Sequence, residues 1–95
     1  MKKGYWMAMV DVTDPDNYPQ YIAANKAAFD KYGAKFLVRG GQCEVPEGPT
    51  ASRVVIIEFD SYQTALDCYQ SPEYRSALKI RQACSTAHLA IVEGV

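Results

Sequence analysis

Short apolar runs along the chain alternate with segments in which apolar residues recur every three or four positions. Four runs are rich in branched or aromatic residues and are bounded by turn residues, which predicts β-strands. These predicted strands are residues 4–12 (GYWMAMVDV), 35–39 (KFLVR), 53–59 (RVVIIEF) and 86–93 (TAHLAIVE).

Two helical segments separate these strands. Apolar and tyrosine residues between positions 18 and 32 share one helical face, and Gly33 stands where a left-handed residue ends a helix. Ser61 is a good N-cap for the second segment. Ser71 followed by Pro72 predicts that this second segment breaks and restarts.

The element order β-α-β-β-α-β is that of the ferredoxin-like split βαβ fold, an α+β class with an antiparallel sheet of strand order 4-1-3-2. We expect one such domain over residues 1–95. The two central strands are apolar at nearly every position, so both of their faces should be covered. Right-handed crossovers place both helical segments on one face. We therefore expect a homodimer whose sheets pack face to face and enclose a cavity, with a monomer that exposes an apolar face as the alternative.

Composition and charge limit the partners. The chain is 48% hydrophobic and 22% charged, with a net charge of −1. That balance disfavours non-specific binding to nucleic acid or to anionic membranes. No stretch approaches the roughly 20 apolar residues of a membrane span. We expect neither nucleic acid nor membrane as a partner.

The three cysteines indicate a redox compartment. Cys43, Cys68 and Cys84 are widely spaced and form no CxxC motif, which favours a reduced cytoplasmic protein without a disulfide framework or a metal site. Cys68 and Cys84 fall in helical segments and are expected to be small core residues. Cys43 falls in a loop and is a weak candidate for a functional thiol.

Several motifs together carry a family resemblance. They are GYW at 4–6, YGAKFLVRGG at 32–41, VVIIEFDSYQTALDCYQSPEY at 54–74, Arg81, and IVEGV at 91–95. The chain resembles domain-of-unknown-function family 1330, a group of small bacterial proteins. The resemblance implies a ferredoxin-like fold that dimerises into an α/β barrel, and it implies no particular activity. The wider superfamily includes cofactor-free monooxygenases, isomerases, haem-handling enzymes and ligand-binding modules, so the fold does not choose among them.

Arg39 is an unusual residue at the end of a buried strand. Strict alternation places Arg39 and Glu58 on the same face of neighbouring strands, opposite the helices. The two could meet on the cavity side if the strand register allows, and the arginine, held by the carboxylate, would then anchor an anionic or carbonyl-bearing ligand. A structural ion pair at the dimer seam is the alternative. Gly40 and Gly41 would supply a positive φ or a bulge, or would let a ligand approach the backbone closely.

Aromatic and basic residues supply further candidate ligand-binding positions. One of Tyr5 and Trp6 should face the cavity and could stack on a planar ligand. Tyr74 lies at the helix break, where a cleft wall could form. Arg81 follows it by two helical turns on the same face and could bind an anion or pair with an acid.

Catalytic residues are unknown from the sequence. His88 and Asp11 are weak candidates for proton transfer, against the simpler interpretations of a surface histidine and a local cap. No nucleophile elbow, P-loop, dinucleotide fingerprint or zinc motif occurs, so we expect no cofactor and no metal. The leading hypothesis is a homodimer that binds a small organic molecule and could catalyse a cofactor-free oxygenation or isomerisation. A non-enzymatic binding protein and a purely structural dimer are the alternatives.

Overall fold

The computed structural model describes residues 2–48 and 52–95. Helices pack on an antiparallel sheet of strand order β2-β3-β1-β4. This arrangement confirms the predicted ferredoxin-like α+β fold. The elements are β1 (Gly4–Val12), α1 (Tyr18–Ala24), α2 (Lys26–Tyr32), β2 (Lys35–Arg39), β3 (Arg53–Phe59), α3 (Tyr62–Gln70), α4 (Pro72–Cys84) and β4 (Ser85–Glu93).

The two faces of the sheet lie in different environments. Along β1, Trp6 is 1% exposed, whereas its neighbour Met7 is 48% exposed. The indole of Trp6 packs edge-on against Phe29 of α2 and Tyr74 of α4, with ring centroids 5.3 and 4.8 Å away. The helices therefore cover the face that carries Trp6. No described helix covers the face that carries Met7, which we call the uncovered face, and the loop after β2 borders part of it.

The predicted helix ends are confirmed. The Ser61 hydroxyl accepts a hydrogen bond from the backbone N–H of Thr64 at the start of α3. Ser71 does the same for Tyr74 at the start of α4, where Pro72 occupies the first turn. Gly33 ends α2 with φ 67°, the left-handed conformation that favours glycine.

The helix expected over residues 18 to 32 is two helices that meet at Asn25. This residue keeps right-handed dihedrals (φ −74°, ψ −14°), its N–H donates to the carbonyl of Tyr21 at 2.9 Å, and its carbonyl accepts from the N–H of Phe29 at 3.1 Å. Asn25 is 6% exposed and faces the space between helices and sheet. The junction therefore places a polar side chain in the interior.

A β-bulge breaks the alternation of β2. Phe36 pairs with Ile57 and Val38 pairs with Ile56, so the register shifts by one residue between them. A bulge reverses which face each later residue occupies. Arg39 consequently pairs with Val55 and lies on the helix side, together with Phe36.

Candidate functional site

The fold leaves concave spaces on both sides of the sheet. On the uncovered face, strand residues and the loop after β2 border an open trough of about 600 Å³. Between the helices and the sheet lies an enclosed cavity of about 30 Å³. The trough is lined by Met7, Ala8, Met9, Cys43, Glu44, Val45, Pro46, Val54, Ile56, His88, Leu89 and Ala90.

The enclosed cavity has an aromatic wall with a strong excess of positive charge. Three arginines, Arg39, Arg53 and Arg81, line it together with Asn25. Among the described residues, no carboxylate and no imidazole belongs to this wall. Its aromatic members are Trp6, Tyr18, Tyr21, Phe29 and Phe36.

Arg81 is the most deeply buried of the three arginines. It lies in the last turn of α4 and is 7% exposed, and its Nε finds no hydrogen-bond partner among the residues that the structure describes. The ion pairs within the described part of the chain join Lys3 to Asp60, Lys26 to Asp30 and Lys31 to Glu73, and none involves Arg81. Burying a guanidinium without a counter-charge is unfavourable. A buried polar group of this kind in a native protein needs a structural or functional explanation.

Two tyrosine hydroxyls lie next to this guanidinium. The hydroxyl of Tyr21 on α1 lies 2.9 Å from that of Tyr74 on α4. Burial raises the pKa of both tyrosines, and the positive charge of Arg81 offsets only part of that rise in pKa. Both hydroxyls are therefore protonated at neutral pH and act as hydrogen-bond donors rather than as bases.

The predicted contact between Arg39 and Glu58 is wrong, because the bulge in β2 moves Arg39 to the helix side. There its guanidinium lies 4.1 Å from the ring centroid of Phe36. Glu58 pairs in register with Lys35 and accepts a hydrogen bond from the Tyr5 hydroxyl at 3.1 Å on the uncovered face. The two residues thus lie on opposite faces of the sheet.

The two glycines after Arg39 differ in their roles. Gly40 has φ 70° and donates its N–H to the carbonyl of Val54 at 2.9 Å. A Cβ at Gly40 would overlap the guanidinium of Arg53, whereas a Cβ at Gly41 would meet open space. Gly40 therefore supplies the predicted positive φ and also lets Arg53 lie over the strand end toward the cavity. The structure shows no such requirement at Gly41.

A surface groove adjoins the enclosed cavity. This outer groove, of about 460 Å³, lies between α1, α2 and the start of β2. Five residues border both spaces, and the stacked pair of Phe36 and Arg39 is among them. The shared residues are Ile22, Asn25, Phe29, Phe36 and Arg39. They form a thin wall between the cavity and the exterior.

The other predicted site residues are divided between the two faces. Trp6 lines the enclosed cavity and donates its indole N–H to the carbonyl of Ala65 at 2.9 Å, whereas Tyr5 lies on the uncovered face. His88 also lies on the uncovered face and borders the trough. Asp11 accepts a hydrogen bond from the backbone N–H of Ser52 at 2.8 Å. The ligand-binding and catalytic roles of all these residues stay predictions.

Sequence reasoning missed Arg53, Tyr21 and Asn25 as members of the site. Arg53 lies on β3 two residues before Val55, so alternation alone would have placed it on the helix side. Tyr21 and Asn25 belonged to a predicted helical face but were assigned to the core. The enclosed space beside them has no signature in the sequence.

Two kinds of site are not found in the described parts of the chain. Residues 2–48 and 52–95 contain no group of three histidines, cysteines, aspartates or glutamates that could hold a metal ion. Within the same ranges, no helix combines the length and apolarity that a membrane crossing requires.

Solved structures with the same fold extend over nearly the whole chain. A protein of unknown function from Rhodopseudomonas palustris is 22% identical with a TM-score of 0.78, covering 99% of this chain and 83% of that one. SnoaB, a cofactor-independent oxygenase from Streptomyces nogalater, is 12% identical with a TM-score of 0.66. The match covers 97% of this chain and 92% of SnoaB. A dimeric ferredoxin-like protein of unknown function from Thermobifida fusca is 16% identical with a TM-score of 0.59. The match covers 97% of this chain and 91% of the Thermobifida fusca chain.

At these identities the structural likeness establishes the fold alone. A comparison with curated proteins finds no match. The family described as domain of unknown function DUF1330 matches residues 3–95. Because the match spans nearly the entire chain, the protein belongs to the DUF1330 family.

Proposed function

We propose that this protein forms a homodimer through its uncovered sheet face and binds a small organic molecule in each subunit, at the enclosed cavity and the outer groove that adjoins it. The observation that carries the proposal is the cavity wall, where aromatic rings and arginines converge on an enclosed space. Ligand sites are typically apolar concavities with a few convergent polar groups. A core built only for stability would be close-packed and would not bury an unpaired guanidinium.

The apolar character of the uncovered face supports the dimer. Met7, Leu37 and Val92 are 48%, 48% and 42% exposed there, and Ile56 lies between them in the sheet. A contiguous exposed apolar surface on a small domain favours burial against a partner. The Thermobifida fusca protein with this fold is described as dimeric, which agrees with the proposal.

Sedimentation analysis tests the dimer. We expect a species of about 21 kDa, twice the 10.6 kDa of one chain. Ile56→Asp should shift the protein to the monomer mass because it buries a charge in the interface. Gln82→Asp, on the exposed side of α4, is the matched control and should leave the mass unchanged. A wild-type protein that sediments as a monomer at micromolar concentration would exclude the dimer.

Cofactor-free oxygenation is a second candidate function. The wall carries three arginines, and positive charge stabilises a deprotonated phenol or enol, which can transfer electrons to O₂ directly. SnoaB, which has a similar fold, is a cofactor-independent oxygenase. Because the described wall residues include no carboxylate and no imidazole, a substrate would have to arrive already ionised. We therefore rank binding above catalysis.

We also propose a cytoplasmic location. Cys43, Cys68 and Cys84 are free thiols, which agrees with a reducing compartment.

Filling the cavity tests the binding function. Ala8 lines the cavity from β1, so Ala8→Leu should fill it, whereas Met7→Leu alters the opposite face of the same strand. A small-molecule screen should find compounds that raise the melting temperature of the wild type and change the fluorescence of Trp6, the chain's one tryptophan. We expect Met7→Leu to keep this response and a folded Ala8→Leu to lose it. A response that Ala8→Leu retains would place the ligand elsewhere.

A further inference from the structure

We infer that the cavity takes the carboxylate group of a compact organic acid, held by Arg81, while the apolar body of that acid lies in the outer groove. This inference rests on the proposed function and adds the charge, the size and the direction of entry of the ligand. It also assigns the anchoring role to Arg81, which takes part in no ion pair within the described chain.

Charge is the first argument. Arg39, Arg53 and Arg81 line the cavity, and the described part of its wall has no negative group to balance them. The Nε atoms of Arg53 and Arg81 are both buried and have no hydrogen-bond partner within residues 2–48 and 52–95. Unsatisfied buried donors of one charge are satisfied best by an acceptor of the opposite charge. The missing component of this site is therefore an anion.

Size is the second argument. The enclosed space is about 30 Å³, whereas a single water needs about 10–15 Å³ on the same scale. The space therefore accommodates about two oxygen atoms, which matches a carboxylate and excludes an aromatic ring. A planar carboxylate can also accept two hydrogen bonds side by side from one guanidinium.

The position of the cavity is the third argument, because it assigns the rest of the ligand to the outer groove. That groove has a volume of about 460 Å³ and is separated from the cavity by the wall that contains Phe36 and Arg39. Arg39 is exposed, so its side chain can move aside without unfolding the core. The groove contributes apolar surface from Ile22, Ala23 and Phe29, which suits a hydrocarbon or aromatic body.

The tyrosine pair would orient the carboxylate. The hydroxyls of Tyr21 and Tyr74 lie 2.9 Å apart, and one of them donates its hydrogen to the other. The second hydroxyl hydrogen of the pair is free to point toward a ligand. Tyr21 lines the cavity, so a carboxylate bound to Arg81 would lie beside a neutral donor as well as a cationic one.

Phenylacetate and its neutral isostere phenylacetamide test the inference. Binding is measured by Trp6 fluorescence and by melting temperature for the wild type, Arg81→Met and Arg75→Met, up to about 10 mM ligand. Arg75 is an exposed arginine on the same helix and is the matched control. We expect the wild type and Arg75→Met to bind the acid roughly tenfold or more tighter than the amide, as charged hydrogen bonds allow. Arg81→Met should lose that preference.

The failures of the two proposals are distinguishable. If acid and amide bind the wild type equally, and Ala8→Leu abolishes both, the cavity is a binding site but the inference about charge is wrong. If Arg81→Met retains the preference for the acid, Arg81 is not the anchor. If neither probe binds the wild type, the inference is overturned, while the general screen continues to test the proposed function separately.

Discussion

The hydroxyl groups of Tyr21 and Tyr74 lie 2.9 Å apart in the interior and join α1 to α4 beside the guanidinium of Arg81. Burial is the largest cause acting on both groups and raises their pKa above the ordinary value of 10.0. The pair is therefore a neutral polar element in a positively charged wall. Because folding makes both hydroxyls hold their protons more tightly, the stability of the fold should decrease at alkaline pH.

Stability should fall steeply in alkali. A group whose pKa is raised by folding keeps its proton longer in the folded chain, so its contribution is complete below the pKa of the unfolded chain and is lost above it. The loss of stability begins at about pH 9 for Cys68, whose pKa rises from 9.0 to about 12 on folding. It begins at about pH 10 for Tyr21 and Tyr74. Each group contributes a slope of up to about 1.4 kcal/mol per pH unit. Urea unfolding between pH 7 and 11 measures this slope.

Tyr74→Phe is the matched variant for that measurement. It removes one titrating hydroxyl, so the alkaline slope should become shallower. It also leaves the hydroxyl of Tyr21 without its partner, which should lower stability at pH 7 by about 1–3 kcal/mol. A Tyr74→Phe protein with the wild-type slope would show that the pair does not titrate in this way.

Removing the charge of Arg81 should stabilise the ligand-free protein. Arg81→Met keeps the apolar stem and deletes a buried guanidinium that has no counter-ion among the described residues. Replacing a buried ion pair by apolar groups of similar volume is often neutral or stabilising by about 1–4 kcal/mol, and a lone buried charge, which lacks even the attraction of a partner, should follow the same direction. Thermal unfolding without ligand should therefore show a higher melting temperature than wild type. A lower melting temperature would mean that Arg81 is a structural residue.

Gly40 and Gly41 should respond differently to alanine. Gly40→Ala forces a side chain into φ 70° and against Arg53, at a cost of about 1–2 kcal/mol. Gly41→Ala meets open space and should stay within about 0.5 kcal/mol of wild type or be slightly stabilising. Urea unfolding of the two variants makes the comparison. Equal losses at both positions would contradict the described geometry of the strand end.

Thiol reactivity should separate the three cysteines. Cys68 and Cys84 are buried, and burial raises the pKa of the Cys68 thiol to about 12. Both should resist alkylation at pH 8 until the protein unfolds. Cys43 is exposed in the single chain but borders the trough that a partner would cover. Mass spectrometry should show faster alkylation of Cys43 in monomeric Ile56→Asp than in wild type. Equal rates would argue against the proposed dimer surface.

Most of the fold could be predicted from the sequence because its signals are local. Ser61, Ser71 with Pro72, and Gly33 each specify a helix end through one capping interaction. The continuous apolar runs of β1 and β3, bounded by turn residues, locate the central strands. The interruption at Asn25 was not predicted, because this residue keeps helical dihedrals and leaves the apolar periodicity intact.

The candidate site was harder to predict because it depends on register. Alternation along β2 placed Arg39 opposite the helices, and the single bulge between Phe36 and Val38 reversed that assignment. The sequence suggested a bulge at Gly40 or Gly41, but no residue between Phe36 and Val38 predicts the bulge that occurs there. Tyr74 and Arg81 were correctly placed on one helical face, since α4 is regular. The contact of Tyr74 with Tyr21, and the cavity that Tyr21 shares with Arg81, arise only from the packing of α1 on α4.

A crystal structure grown with phenylacetate would test the central claim most directly. We expect the carboxylate within hydrogen-bonding distance of the Arg81 guanidinium, with the ring in the outer groove beside Phe36. Phenylacetate bound instead in the trough beside His88 would contradict the account, because the ligand would then lie on the face that we assign to the partner subunit.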